Sequence, residues 1–108
     1  MTVVESVSYN NLWRLLWSRA AHQVIEALPQ FHVFTQVEVG YGIGLRNPRD
    51  PSKALILHPS GLSRNIGDLA LTIVGQGTQV IPRYNRSYTE YLTDAIDAME
   101  AAAMILSA

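Results

Sequence analysis

A chain of 108 residues with 48% hydrophobic content, 16% charged residues and a net charge of −1 has the size and make-up of one globular domain with a single core. The near-neutral charge excludes a strongly basic nucleic-acid binder as a whole-molecule property, and the lack of cysteine excludes disulfides, thiolate nucleophiles and cysteine-ligated metals. No apolar run reaches membrane-spanning length and the polar start "MTVVESVSYNN" lacks a signal-peptide pattern, so a cytoplasmic setting without membrane attachment is expected.

The first predicted element is a helix through "YNNLWRLLWSRAAHQVIEAL". Tyr9, Trp13, Leu16, Trp17, Ala20, Val24, Ala27 and Leu28 recur there at helical spacing, and Pro29 ends the run. Leu15 and Ile25 fall outside this apolar stripe. From Phe31 the period becomes two. Val33, Thr35, Val37, Val39, Tyr41, Ile43 and Leu45 share one parity, which predicts one long strand with Gly40, Gly42 and Gly44 on its other face. "RNPRDPSK" is a turn region, and the short strand "KALILH" is stopped by Pro59-Ser60-Gly61. "DLALTIV" and "TQVIPRY" flank Gly75-Gln76-Gly77 as a hairpin; Pro82 cannot donate to a ladder, which places the last strand at a sheet edge. Ser87 and Glu90 stand at capping-box spacing before a final helix whose apolar stripe is Tyr88, Leu92, Ala95, Met99, Ala102 and Leu106. The order is helix, about four strands in an antiparallel meander, helix: a single α+β domain over residues 1–108 with both helices on one sheet face.

Several residue sets are chemically suggestive. The glycines Gly40, Gly42 and Gly44 lie within an alternating strand with no helix following, so close packing of a backbone, a flat ring or a neighbouring subunit explains them better than a phosphate cradle. His22 and Glu26 share a helix face but form only two potential ligands, and no metal or cofactor is expected. His58, Ser60 and Asp68 evoke a hydrolase without any nucleophile-elbow pattern around them, so no catalytic residue is assigned. Residues 40–86 carry six basic against two acidic groups, a net of +4, whereas residues 87–108 carry four acidic groups and no base, a net of −4. Arg46, Arg49, Lys53 and Arg64 are therefore anion-binding candidates, and Glu90, Asp94, Asp97 and Glu100 form an acidic helix face. "PRYNRSY" interleaves Arg83 and Arg86 with Tyr84 and Tyr88, a combination suited to protein interfaces and to stacking on nucleic acid alike.

The element order resembles that of double-stranded RNA-binding domains, which also close on an alanine-rich helix. The turn that opens the last helix carries Glu90 and no lysine, however, so neither residue roles nor activity are carried over. The reading these features favour is a non-enzymatic protein that docks on another protein, as an inhibitor, immunity or assembly-type accessory factor, including those of mobile elements or phages. Arg83, Tyr84, Arg86, Tyr88, Leu15 and Met104 are its interface candidates. A homodimer is expected from the off-stripe apolar residues and the open edge at Pro82. The alternatives are a nucleic-acid-binding module using the arginines, and a small-ligand pocket around His58 and the glycine face.

Overall fold

Antiparallel pairing in strict sequence order builds a five-stranded sheet, β1-β2-β3-β4-β5. The strands are β1 (Thr35–Val39), β2 (Gly42–Arg46), β3 (Ala54–Pro59), β4 (Leu69–Ile73) and β5 (Gly77–Ile81). A helix α1 over residues 18–27 and a 3₁₀ turn Pro29–Phe31 precede them, and α2 (Tyr88–Leu106) closes the chain. This computed structural model describes residues 18–39, 42–59, 68–83 and 85–107. The part of the predicted first helix before residue 18, with Trp13, Leu15 and Trp17, lies outside them.

The α+β architecture agrees with the sequence reading, with one more strand than the four expected. The predicted long strand is two strands. Val39 pairs with Gly42, Glu38 with Ile43 and Val37 with Gly44, so β1 and β2 form a hairpin about residues 40 and 41, which lie outside the described residues. Paired residues share a face, and each pair here joins an odd to an even position. Val37 and Val39 therefore lie on the opposite face from Ile43 and Leu45, although all four have the same parity.

One core fills the space between the sheet and both helices. Ile43, Leu45, Leu55, Leu57, Leu69, Leu71 and Ile81 supply the sheet side, Ala20, Ala21, Val24, Ile25 and Leu28 the α1 side, and Tyr91, Ala95, Met99, Ala102, Ala103 and Leu106 the α2 side. Ile25, off the predicted stripe, is 8% exposed and belongs to this core, whereas Ala27, placed on the stripe, is exposed. α1 stops where Pro29 removes an amide and forces Leu28 into an extended conformation, φ −116° and ψ 93°. The 3₁₀ turn then buries Phe31 edge-on against Phe34, with ring centroids 5.1 Å apart.

Turn chemistry closes the remaining connections. The β4–β5 hairpin needs left-handed backbone at Gly75, φ +83°, and at Gly77, φ +104°, which these residues supply without strain. Asn47 in the β2–β3 turn accepts the Arg49 amide on its Oδ1 and donates from Nδ2 to the Leu106 carbonyl at 2.9 Å. One turn side chain thus also satisfies a C-terminal carbonyl of α2.

The capping box is formed in both directions: the Glu90 amide donates to Ser87 Oγ at 3.1 Å and the Ser87 amide to Glu90 Oε1 at 3.0 Å. The bonds from the Ser87 backbone and side chain, with Arg86 nearby, hold the Glu90 carboxyl below its ordinary pKa. A lowered carboxyl pKa stabilises the fold above the unfolded value and loses that support as pH falls through the folded one. Ser87→Ala should cost about 1 kcal/mol in a urea melt at neutral pH. It should also leave a smaller acid-induced loss than the parent shows.

Candidate docking face

The strand positions not used by the core define a second sheet face, and no described helix lies on it. It is built from Thr35, Val37 and Val39 of β1, Gly42, Gly44 and Arg46 of β2, and Ala54, Ile56 and His58 of β3. Ala70 and Thr72 of β4 and Thr78 and Val80 of β5 complete it. Solvated faces of antiparallel sheets ordinarily carry charged and polar residues. This one carries Arg46 as its single charged side chain; at its two outer strands Val37, Val39 and Val80 are 44%, 43% and 48% exposed, while Gly42, Gly44 and Ala70 between them are buried, Ala70 at 1%.

The glycines are closely packed by their neighbours on this face. A Cβ on Gly44 would lie 3.0 Å from Val37 Cγ2 and 3.1 Å from Val39 Cγ2; one on Gly42 would lie 3.1 Å from His58 Cβ and 3.2 Å from Ile56 Cγ2. Side chains of β1 and β3 thus close over the bare strip of β2, forming a shallow apolar floor with the glycine backbone beneath. Gly40 lies outside the described residues.

His58 stands on the same face within a hydrogen-bonded row. Its Nδ1 donates to the Pro59 carbonyl, which can only accept, at 3.1 Å, and its Nε2 lies 2.9 Å from the Thr72 hydroxyl. The Thr72 oxygen in turn lies 2.8 Å from Thr78 Oγ1, hydrogen-bonded to it. Asp68 Oδ1 accepts the Arg83 amide at 2.7 Å. Ser60 and Arg64 lie outside the described residues. His22 Nδ1 takes the Ser18 carbonyl at 2.8 Å rather than pairing with Glu26.

The arginine–tyrosine segment is knitted into the fold. Left-handed Asn85, φ 56°, turns the chain between β5 and α2. Arg83 packs its guanidinium over the rings of Tyr88 and Tyr91, 5.9 and 5.7 Å from their centroids, and donates to the Arg86 carbonyl. Arg86 donates to Asp94 Oδ2 from both Nε, 3.1 Å, and NH2, 2.7 Å, and sits 3.4 Å from Glu90. The Tyr88 hydroxyl donates to Gln23 Oε1 and joins the two helices. Half of the predicted acidic face is therefore occupied by Arg86, leaving Asp97 and Glu100 exposed. Tyr84 lies outside the described residues.

Among the remaining candidates, Arg46 and Arg49 are exposed, Lys53 is half-buried, and Met104 of α2 is 78% exposed. Three grooves merit note. One of about 450 Å³ runs between β5 and α2, lined by Gln79, Ile81, Pro82, Asp97, Ala98 and Ala101 among others. It adjoins a second of about 220 Å³ that reaches Gly77 and Ile105. A third, about 270 Å³, lies by Phe34, Pro48 and Arg49. No group of three potential metal ligands occurs among the described residues, and no described helix is long and apolar enough to cross a membrane. Comparisons with protein-family models, with curated proteins and with solved structures find no match for the chain.

Residue-by-residue reading of the sequence missed Val37, Val39, Ile56 and Val80 as a set. The signal was present as alternation in each strand, but their common face depends on the hairpin at residues 40 and 41.

Proposed function

We propose that the protein is a docking module that binds another protein through the open face of its sheet. The observation that carries this reading is the neutral, partly apolar face formed by five strands, with Val37, Val39 and Val80 nearly half exposed and Arg46 alone supplying charge at its margin. Its complement is an apolar protein patch with a carboxylate positioned for Arg46, which is exposed and makes no salt bridge among the described residues. An accessory role, as an inhibitor, immunity factor or assembly subunit, works by occupying such a patch and needs no catalytic group.

Internal use of Arg83 and Arg86 favours protein over nucleic acid as the partner, because two of the cations best placed to meet phosphate already serve Asp94, Glu90 and the tyrosine rings. The test combines capture and nucleic-acid binding. Val37→Glu with Val39→Glu should abolish recovery of a specific co-purifying protein while leaving the thermal melt within a few degrees of the parent. Asp97→Ala with Glu100→Ala should retain that protein. Filter binding at low salt should show no nucleic-acid affinity tighter than about micromolar. Tight, salt-steep binding to nucleic acid, or capture indifferent to the valine pair, would overturn the reading.

A further inference from the structure

The two edges of the sheet are unlike. β1 is exposed throughout and turns Gln36 and Glu38 toward the helix side, an edge blunted by charge. β5, "GTQVI", carries no charge; four of its five residues are exposed and its outward backbone groups have no described strand beside them. Pro82 ends it, limiting any added strand to this short register.

Beside this edge, α2 runs antiparallel to β5, since Pro82 faces the Asp94 end of the shared groove and Gly77 the Ile105 end. The α2 flank that overlooks the edge is Ala98, Ala101 and Ile105 with Asp94 and Asp97. We infer that a second copy of this chain fills the groove, the two β5 strands pairing antiparallel about a two-fold axis and the two α2 helices packing alongside each other.

Three geometric arguments select a second copy over a free peptide strand. Paired strands lie about 4.8 Å apart, so helices seated over the β4–β5 region of each copy come to roughly 10 Å, within the range of packed helices. A single added strand would leave the helix flank of the groove unfilled. Small side chains at Ala98 and Ala101 let the helices approach, with Ala98 of one copy opposite Ala101 of its mate. The negative charge at the flank is also tolerable in this arrangement. Asp94 is neutralised by Arg86 within its own chain, and in an antiparallel pair centred between residues 98 and 101 the two Asp97 carboxylates stand about 12 Å apart, beyond the screening length at physiological salt. Fifteen residues on each copy line the two grooves, which corresponds to roughly 1,000 Å² buried in total, at the threshold of a specific interface. An interface of this size suits a reversible dimer. It would join the two open faces into one ten-stranded surface, yet its own contacts lie on a different edge, so it stands or falls independently of the docking reading.

Sedimentation equilibrium from about 1 to 500 µM should show the mass rising from one chain to two, and hydrogen exchange should show concentration-dependent protection at the β5 amides. Ala101→Glu alters an exposed helical position and places new carboxylates across the two-fold axis. It should weaken association at least tenfold with an unchanged melt at low concentration. Glu100→Gln, at an exposed α2 position on the far side of the helix from Ala98, should dimerise like the parent. A parent that stays monomeric through the whole range, or a dimer insensitive to Ala101→Glu with unprotected β5 amides, would overturn the inference. So would protection at β5 that appears only on adding an unrelated β-forming peptide.

Discussion

Gly42→Val should lower stability by about 1–3 kcal/mol, the usual consequence of forcing extra atoms into a packed region. A Cβ at Gly42 would lie 2.7 Å from the Leu57 carbonyl oxygen, a backbone atom of the neighbouring strand that cannot rotate aside. β3 would have to shift, and it sits at the middle of the sheet with β2 and β4 on either side. Gly44→Ala should cost less, because its nearest neighbours are the terminal methyl groups of Val37 and Val39 on the edge strand β1, at 3.0 and 3.1 Å. Urea melts of the two variants side by side check the ranking. An unchanged midpoint for Gly42→Val would show that this glycine is not kept for close packing, and loss of partner capture in a stably folded Gly42→Val protein would assign it to the partner's approach instead.

How much of this was legible in the sequence depends on whether local pattern or pairing decided the outcome. The α2 capping box, the β4–β5 hairpin and the edge position beside Pro82 follow from side chains within a few residues of each other, and the structure has each of them. The β1–β2 hairpin hides because a two-residue connection leaves the alternation unbroken. The apolar residues on both sides of it keep one parity, and only the pairing of Val39 with Gly42 sends Val37 and Val39 to the open face. The arginine–tyrosine segment hides for another reason. Residues placed at an edge next to a helix start read as an interface, but the turn at Asn85 folds Arg86 back over the first turns of α2 to reach Asp94, eight residues on. Asp68 was read with His58 as part of one loop, and nothing local indicates that its partner is the backbone of Arg83.

That last contact leads to the second large effect. Asp68 is 4% exposed, and its carboxylate accepts the Arg83 amide at 2.7 Å, joining the start of β4 to the segment that follows β5. The same segment directs the Arg83 guanidinium over Tyr88 and Tyr91, so one carboxylate orders the strand exit, the arginine and the aromatic pair beneath it. Asp68→Ala should cost about 2–3 kcal/mol, because it leaves the Arg83 amide without its buried, charged acceptor. Asp68→Asn keeps an acceptor and should lose less. The Tyr91 phenol reports the same site. Burial, and after it the Asp68 charge, push its pKa well above the ordinary tyrosine range that begins near 10.0. A raised pKa stabilises the fold below the unfolded value, so stability should decline as pH rises past about 10, where the unfolded phenol ionises and the buried one does not. Tyr91→Phe should flatten that alkaline decline. Asp68→Asn should bring Tyr91 ionisation to lower pH in an ultraviolet titration while the protein remains folded. If Asp68→Ala melts like the parent and Tyr91 titrates unchanged in Asp68→Asn, the carboxylate does not organise this end of the sheet, and the order of Arg83 must come from its stacking on the two rings and its bond to the Arg86 carbonyl.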